Sequence, residues 1–133
     1  MAGPWRVRIL RPDDPTWQAL VAAGLITADG AHGALLDACE EDVGAVMRAC
    51  GFLPWPTWRD GNGDLGAFCP CPQCGTPGSV YLTGPHQWTW NGSYDRPTLR
   101  PSILSTQGHG GCGGHYHLTD GPLTDCGGHV GRR

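Results

Sequence analysis

Two clusters of metal-loving side chains, set far apart in a chain full of turn formers, constrain this sequence more than anything else in it. The first is Cys69-Pro-Cys71-Pro-Gln-Cys74, three thiols interrupted by two prolines. The second, Cys112-Gly-Gly-His115, lies well downstream. Zinc takes four tetrahedral thiolate or imidazole ligands, usually supplied as two closely spaced pairs from separate parts of a chain. Cys71-x2-Cys74 and Cys112-x2-His115 are two such pairs, and Cys69 stands beside them as a further ligand. With 22 Gly and 12 Pro among 133 residues, and only 2 Phe and 2 Met, the chain is poorly supplied for a large core. A small domain of that kind gains from a staple. A zinc ion held by residues drawn from Cys69, Cys71, Cys74, Cys112 and His115 is the expectation.

The spacing recurs at the end of the chain. In "CGGHYHLTDGPLTDCGGH", Cys126-x2-His129 repeats the geometry of Cys112-x2-His115. A second metal site would then draw on His117, Asp125, Cys126 and His129. Thiolate-rich sites are usually closed and structural, whereas sites with imidazole and carboxylate ligands more often keep a position open for water or substrate. The sequence thus permits one metal or two, and does not choose which four residues bind the first. His32, His86 and His109 have no clustered partner and read as ordinary loop or surface residues.

Seven cysteines, an odd number, make a poor disulfide framework. Arg6, Arg8 and Arg11 near the start are not followed by the apolar stretch of a signal peptide, and no apolar run is long enough to span a membrane. The expectation is a protein kept inside the cell, where thiols stay reduced. The formal charge of −3, without a run of either sign, argues against phosphate-driven nucleic-acid binding. Six tryptophans could stack bases, but only Arg96 and Arg100 lie near Trp88 and Trp90, too few to build a basic groove.

Local patterns point to an α+β protein. "WRVRIL" alternates as a strand does, and "DDPTWQALVAAG" offers Asp14 as cap, Pro15 at the helix start and Gly24 as stop. Leu35, Ala38, Cys39, Val43, Val46, Met47 and Cys50 follow a 3.6-residue period that ends at Gly51, so Cys39 and Cys50 read as small buried hydrophobes. Residues 52–68 read as a turn-rich connector in which Trp55 and Trp58 cover the core. Beyond it lie short strands, with Asn91-Gly92 and Asp120-Gly121 as hairpin turns. On a strand, His115 and His117 would share a face. The expected architecture is an N-terminal helical segment (1–53), a connector (54–67) and a small, mostly antiparallel, zinc-stapled β domain (68–133).

From "WTWNGSYDRPTLRPSIL" to the closing Asp-Cys and His, the chain resembles a family of small proteins of phages and mobile elements, some of them mislabelled ammonia monooxygenase. Relatives stand in bacterial operons for ubiquitin-like conjugation, where a peptidase role has been proposed. The resemblance covers about residues 68–131. It rests on Cys69, Cys71 and Cys74, on Trp88 and Trp90, on Pro101-Ser102-Ile103, and on Cys112, His115, Tyr116 and Gly121. It implies a zinc-bearing β domain with peptidase activity, located in the host cytoplasm or a virion.

Two functions follow. The first is a non-catalytic structural or interaction module in which zinc substitutes for core, with a virion subunit, a host factor or a ubiquitin-like protein as partner. The alternative is a zinc-dependent hydrolase, a peptidase acting on a ubiquitin-like protein, with a metal-bound water near His115 and Asp125 as base. Ser102 is a second candidate nucleophile, which an adjacent base would have to activate.

Overall fold

The structure, a computed structural model, describes residues 5–27, 31–85, 88–104 and 115–125. β1 (Trp5–Leu10) opens the chain and is followed by α1 (Thr16–Ala22) and α2 (Ala31–Cys50). Seven strands then follow: β2 (Leu53–Arg59), β3 (Leu65–Phe68), β4 (Ser79–Tyr81), β5 (Thr89–Trp90), β6 (Leu99–Leu104), β7 (His115–Leu118) and β8 (Pro122–Asp125). They form one curled, mixed sheet in the order β4-β3-β2-β1-β8-β7-β6-β5. Among the described strands only β1 and β2 are parallel, which suits strands joined by a helical crossover.

The helices form where the pattern placed them. Asp14 accepts the Thr16 amide at 2.9 Å, so its carboxylate serves the first turn of α1 as expected. In α2, Leu35, Cys39, Val43 and Val46 are buried toward β2, and Ala38, Met47 and Cys50 are half-buried beside them. The helix is broken at Asp42 (φ −160°, ψ 86°), whose carboxylate accepts the Ala45 amide at 3.0 Å and restarts it. That break was not foreseen. A short acceptor three residues ahead of a free amide is a cap, and here it sits within one continuous apolar stripe.

The sheet departs from the expectation at two places. Residues 54–67, read as a connector, supply β2 and β3 instead. Pro54 and Pro56 hid that strand, because proline cannot donate to a ladder. Both fall before the stretch Thr57–Arg59 that pairs with β3, so no donor is missed there. Asn91-Gly92 does not make a two-residue turn either. β5 and β6 are joined through residues 91–98, where Asn91 Oδ1 accepts the amides of Ser93 (3.1 Å) and Thr98 (3.1 Å). Asp120-Gly121 does form the tight turn expected, with positive φ at both residues and the Thr119 amide donating to Pro122 O at 3.0 Å.

β1 lies mid-sheet, and its Val7, Ile9 and Leu10 are fully buried. Its outward Arg8 donates to Asp95 at 2.8 Å and Asp14 at 3.3 Å, tying the 91–98 connection to the start of α1. Among the described residues no helix is long and apolar enough to cross a membrane.

Candidate functional site

Three neighbouring strands carry the candidate catalytic residues. β6 carries Ser102, β7 carries His115 and His117, and β8 ends at Asp125. β7 lies between the other two and is antiparallel to both. Leu104 is paired with His115, Ile103 with Tyr116, and Tyr116 in turn with Asp125. Strands in a sheet lie about 4.8 Å apart, so the backbones at Ser102 and Asp125 flank that of the histidine strand closely. The β6–β7 register shifts between Leu99 and Ile103, and Ser102 falls inside the irregular stretch. Such bulges re-aim side chains and are common beside active sites.

Alternation along β7 sets its chemistry. His115 and His117 share a face, as expected, their rings stacked at 6.3 Å with 30° between planes. His117 is exposed and His115 half-buried. Tyr116 turns the other way and is 2% exposed, edge-on to Trp5 at 5.7 Å.

The three clustered thiols lie beyond the end of β3 in a tight double turn. Cys69 and Gly78 exchange backbone hydrogen bonds (2.8 and 3.2 Å), the Cys71 amide donates to Thr76 O at 3.0 Å, and the Gly75 amide to Cys71 O at 2.8 Å. The turn therefore places Cys71 and Cys74 at either end of one short loop. Cys69 is buried, and burial pushes its thiol up to about 12, with the neighbouring Cys71 adding to the rise. Cys71 is buried too, and its sulfur is 3.2 Å from the Tyr116 hydroxyl. Cys74 donates to the Thr76 hydroxyl at 3.4 Å.

The expected metal centre is not assembled among the described residues, where no three ligating side chains converge. Tyr116, and not His115, meets Cys71, because alternation sends His115 to the other face of β7. Cys112, Cys126 and His129 lie outside the described residues, as do His86 and His109. Sequence reasoning missed the role of Tyr116. The signal was present in His115-Tyr116-His117, since a tyrosine between two same-face histidines must project from the opposite face.

The concave side of the sheet holds a cavity of about 700 Å³. None of the described residues lining it is charged, and they include Trp55, Val80, Trp88, Ile103 and Tyr116. The indole N–H groups of Trp55 and Trp88 are buried with no hydrogen-bond partner among the described residues.

A family model described as "Bacterial ubiquitination-like system serine protease (BubE)" matches residues 56–126, just over half the chain. The matched span takes in the thiol turn, Ser102, both β7 histidines and Asp125. No curated protein and no solved structure matches. A family of proteases is catalytic, so the expectation of a non-catalytic zinc module of phage type is overturned. The hydrolase alternative is the nearer of the two readings, with a serine nucleophile named where a metal-bound water was expected.

Proposed function

The chain belongs to the BubE family of bacterial ubiquitination-like system serine proteases, and from that premise we propose that it hydrolyses a peptide bond in the extended tail of a ubiquitin-like protein. Family membership implies protein partners; the ubiquitin-like substrate is our reading. The observation that carries the proposal is the position of β7. A strand with two histidines on one face lies between the strand of Ser102 and the strand that ends at Asp125. Serine and histidine on adjacent strands are the nucleophile and base of a serine hydrolase, which is recognised by geometry and not by chain order, whereas Asp125 is paired with Tyr116, on the face opposite the histidines.

In this reading Ser102 is the nucleophile. Ser102 comes one residue before Ile103, which pairs with Tyr116, and His117, next after Tyr116 on β7, acts as base with His115 stacked beside it. The serine oxygen attacks the scissile carbonyl carbon while the imidazole takes its proton. The tetrahedral adduct collapses, the C–N bond breaks, and the imidazolium returns the proton to the leaving amine. Water then enters by the same base and releases the acyl chain as carboxylate. The register pairs Asp125 with Tyr116 and not with a histidine, so the acid that would orient the imidazole is left unassigned.

Zinc stays in the proposal as a structural ion. The turn at Cys71 and Cys74 would supply two thiolates, half of a four-ligand site, with the rest from elsewhere in the chain. Its place would be to hold the turn that supports Tyr116, apart from the chemistry at Ser102.

The test is a fluorophosphonate probe together with a ubiquitin-like protein carrying a C-terminal extension. The wild-type chain should be labelled on Ser102 and release the extension, both read by mass spectrometry. Ser102→Ala should lose label and cleavage, and His117→Ala should lose cleavage by at least about a hundredfold. Undiminished cleavage by Ser102→Ala would sink the reading.

A further inference from the structure

β6 is covered on only half its length on the side away from β7. β5 pairs with Leu99 and Arg100 and stops there. From Pro101 to Leu104 no strand lies on that side among the described residues. Pro101 fits this position, since proline within a sheet belongs at an edge or a bulge. At the other end of the sheet, β4 pairs with β3 along Ser79–Tyr81, and beyond it the Trp88 amide donates to Tyr81 O at 2.8 Å. Among the described residues the curled sheet therefore stays open between β4 and the uncovered half of β6. Both sides of this opening contribute to the cavity, which is lined by Ser79 and Val80 of β4 and by Ile103 of β6, together with Trp88 and Tyr116.

We infer that an extended segment of the substrate adds to β6 as a further strand along Pro101–Leu104 and places alternate, uncharged side chains in the cavity. The inference rests on the serine protease reading, because that reading puts the nucleophile on this stretch of strand. A free strand edge captures an extended chain through main-chain hydrogen bonds, and pockets for every second side chain then supply selectivity. Two observations select an uncharged protein tail as the occupant. Among the described residues the cavity is lined without a charge, so an ionised side chain would be desolvated against them with no partner. Its volume of about 700 Å³ suits a few side chains and excludes a folded domain.

The test uses blocked octapeptides. A positional-scanning library read for cleavage by the wild-type chain finds the preferred member, and the same library read for binding to Ser102→Ala finds it independently of chemistry. Apolar residues should be selected at alternate positions, and Asp or Lys at those positions should lower kcat/KM by at least about tenfold. A series of the preferred peptide, methylated at one backbone nitrogen at a time, should lose at least about tenfold in binding at every second amide and little between. Alternation in binding without cleavage keeps the docking mode and sinks the protease assignment. Cleavage without alternation overturns the docking mode and leaves the protease assignment standing. If no peptide binds or is cleaved while fluorophosphonate still labels Ser102, the edge is not a docking site and this inference falls.

Discussion

The Tyr116 hydroxyl lies 3.2 Å from the Cys71 sulfur, and this buried contact joins the thiol turn to the strand of the two histidines. Tyr116 also packs edge-on against Trp5 of β1, so one side chain of β7 touches both the thiol turn and β1. Tyr116→Phe removes the hydrogen bond and keeps the ring. Chemical denaturation should show a loss of about 0.5–1.5 kcal/mol, the usual worth of one neutral hydrogen bond. Tyr116→Ala also opens a void and should cost about 3–5 kcal/mol, as large aromatic truncations do. If both variants lost the same amount, the hydroxyl would carry the whole effect and packing none.

Gly75 is needed twice over. Its φ is +77°, and a Cβ built there would stand 1.9 Å from the backbone oxygen of Cys39 on α2. The thiol turn therefore presses directly on the helix, and neither backbone can yield without shifting the other. Gly24 has nearly the same φ, +75°, but nothing lies within 4 Å of its Cβ position. Gly24→Ala should cost about 1 kcal/mol, the strain of a left-handed residue alone. Gly75→Ala should cost several times that, about 3 kcal/mol or more, or leave the protein unfolded. Equal thermal shifts for the two would contradict the close approach.

Cys39 gives the fold a definite response to alkali. Burial on the apolar face of α2 pushes its thiol up from an ordinary value of 9.0 to about 12, with the neighbouring Cys50 adding to the rise. Below pH 9 the thiol is protonated in both folded and unfolded chains, so it contributes no slope. Between pH 9 and 12 the unfolded chain releases a proton that the folded one keeps. Stability should therefore fall with rising pH, by up to about 1.4 kcal/mol per pH unit from this group. Urea titrations from pH 7 to 10.5 should show a plateau and then a decline, which Cys39→Ala should reduce. Native Cys39 should also resist alkylation at pH 8. A decline unchanged in Cys39→Ala would assign it to other groups.

Much of this was legible in the sequence where one local rule acted alone. The α1 cap at Asp14, the α2 stripe from Leu35 to Cys50, the Asp120-Gly121 turn and the shared face of His115 and His117 each depend on neighbours in the chain. The misses came where two rules competed or where distant pairing decided. Pro54 and Pro56 concealed β2, because the tolerance for them depends on β3 starting to pair only at Thr57. Asn91-Gly92 carried a hairpin signal, yet the Asn91 side chain spans a longer connection by bonding Ser93 and Thr98. The site followed the same logic. Spacing pairs Cys71 with His115 in the sequence, and in the fold strand alternation brings Tyr116 to the Cys71 sulfur.

Zinc remains the most direct measurement on the thiol turn. Cys71 and Cys74 bracket a loop closed by the bond from the Gly75 amide to Cys71 O, an arrangement that presents two thiols from one short span. Metal analysis of the purified chain should find about one zinc per molecule, the stoichiometry of a single four-ligand structural site. Cys71→Ser with Cys74→Ser should abolish it. Because such an ion binds the folded state only, a strong chelator should lower the thermal midpoint of the wild-type chain and leave that of the double variant unmoved. Fluorophosphonate labelling of Ser102 should survive brief chelation below that lowered midpoint, because the ion supports the fold and takes no part in the chemistry. Loss of labelling while the protein stays folded would place the metal at the reacting centre. A chain free of metal, with a midpoint indifferent to chelator, would leave the turn held by its own hydrogen bonds and by Tyr116.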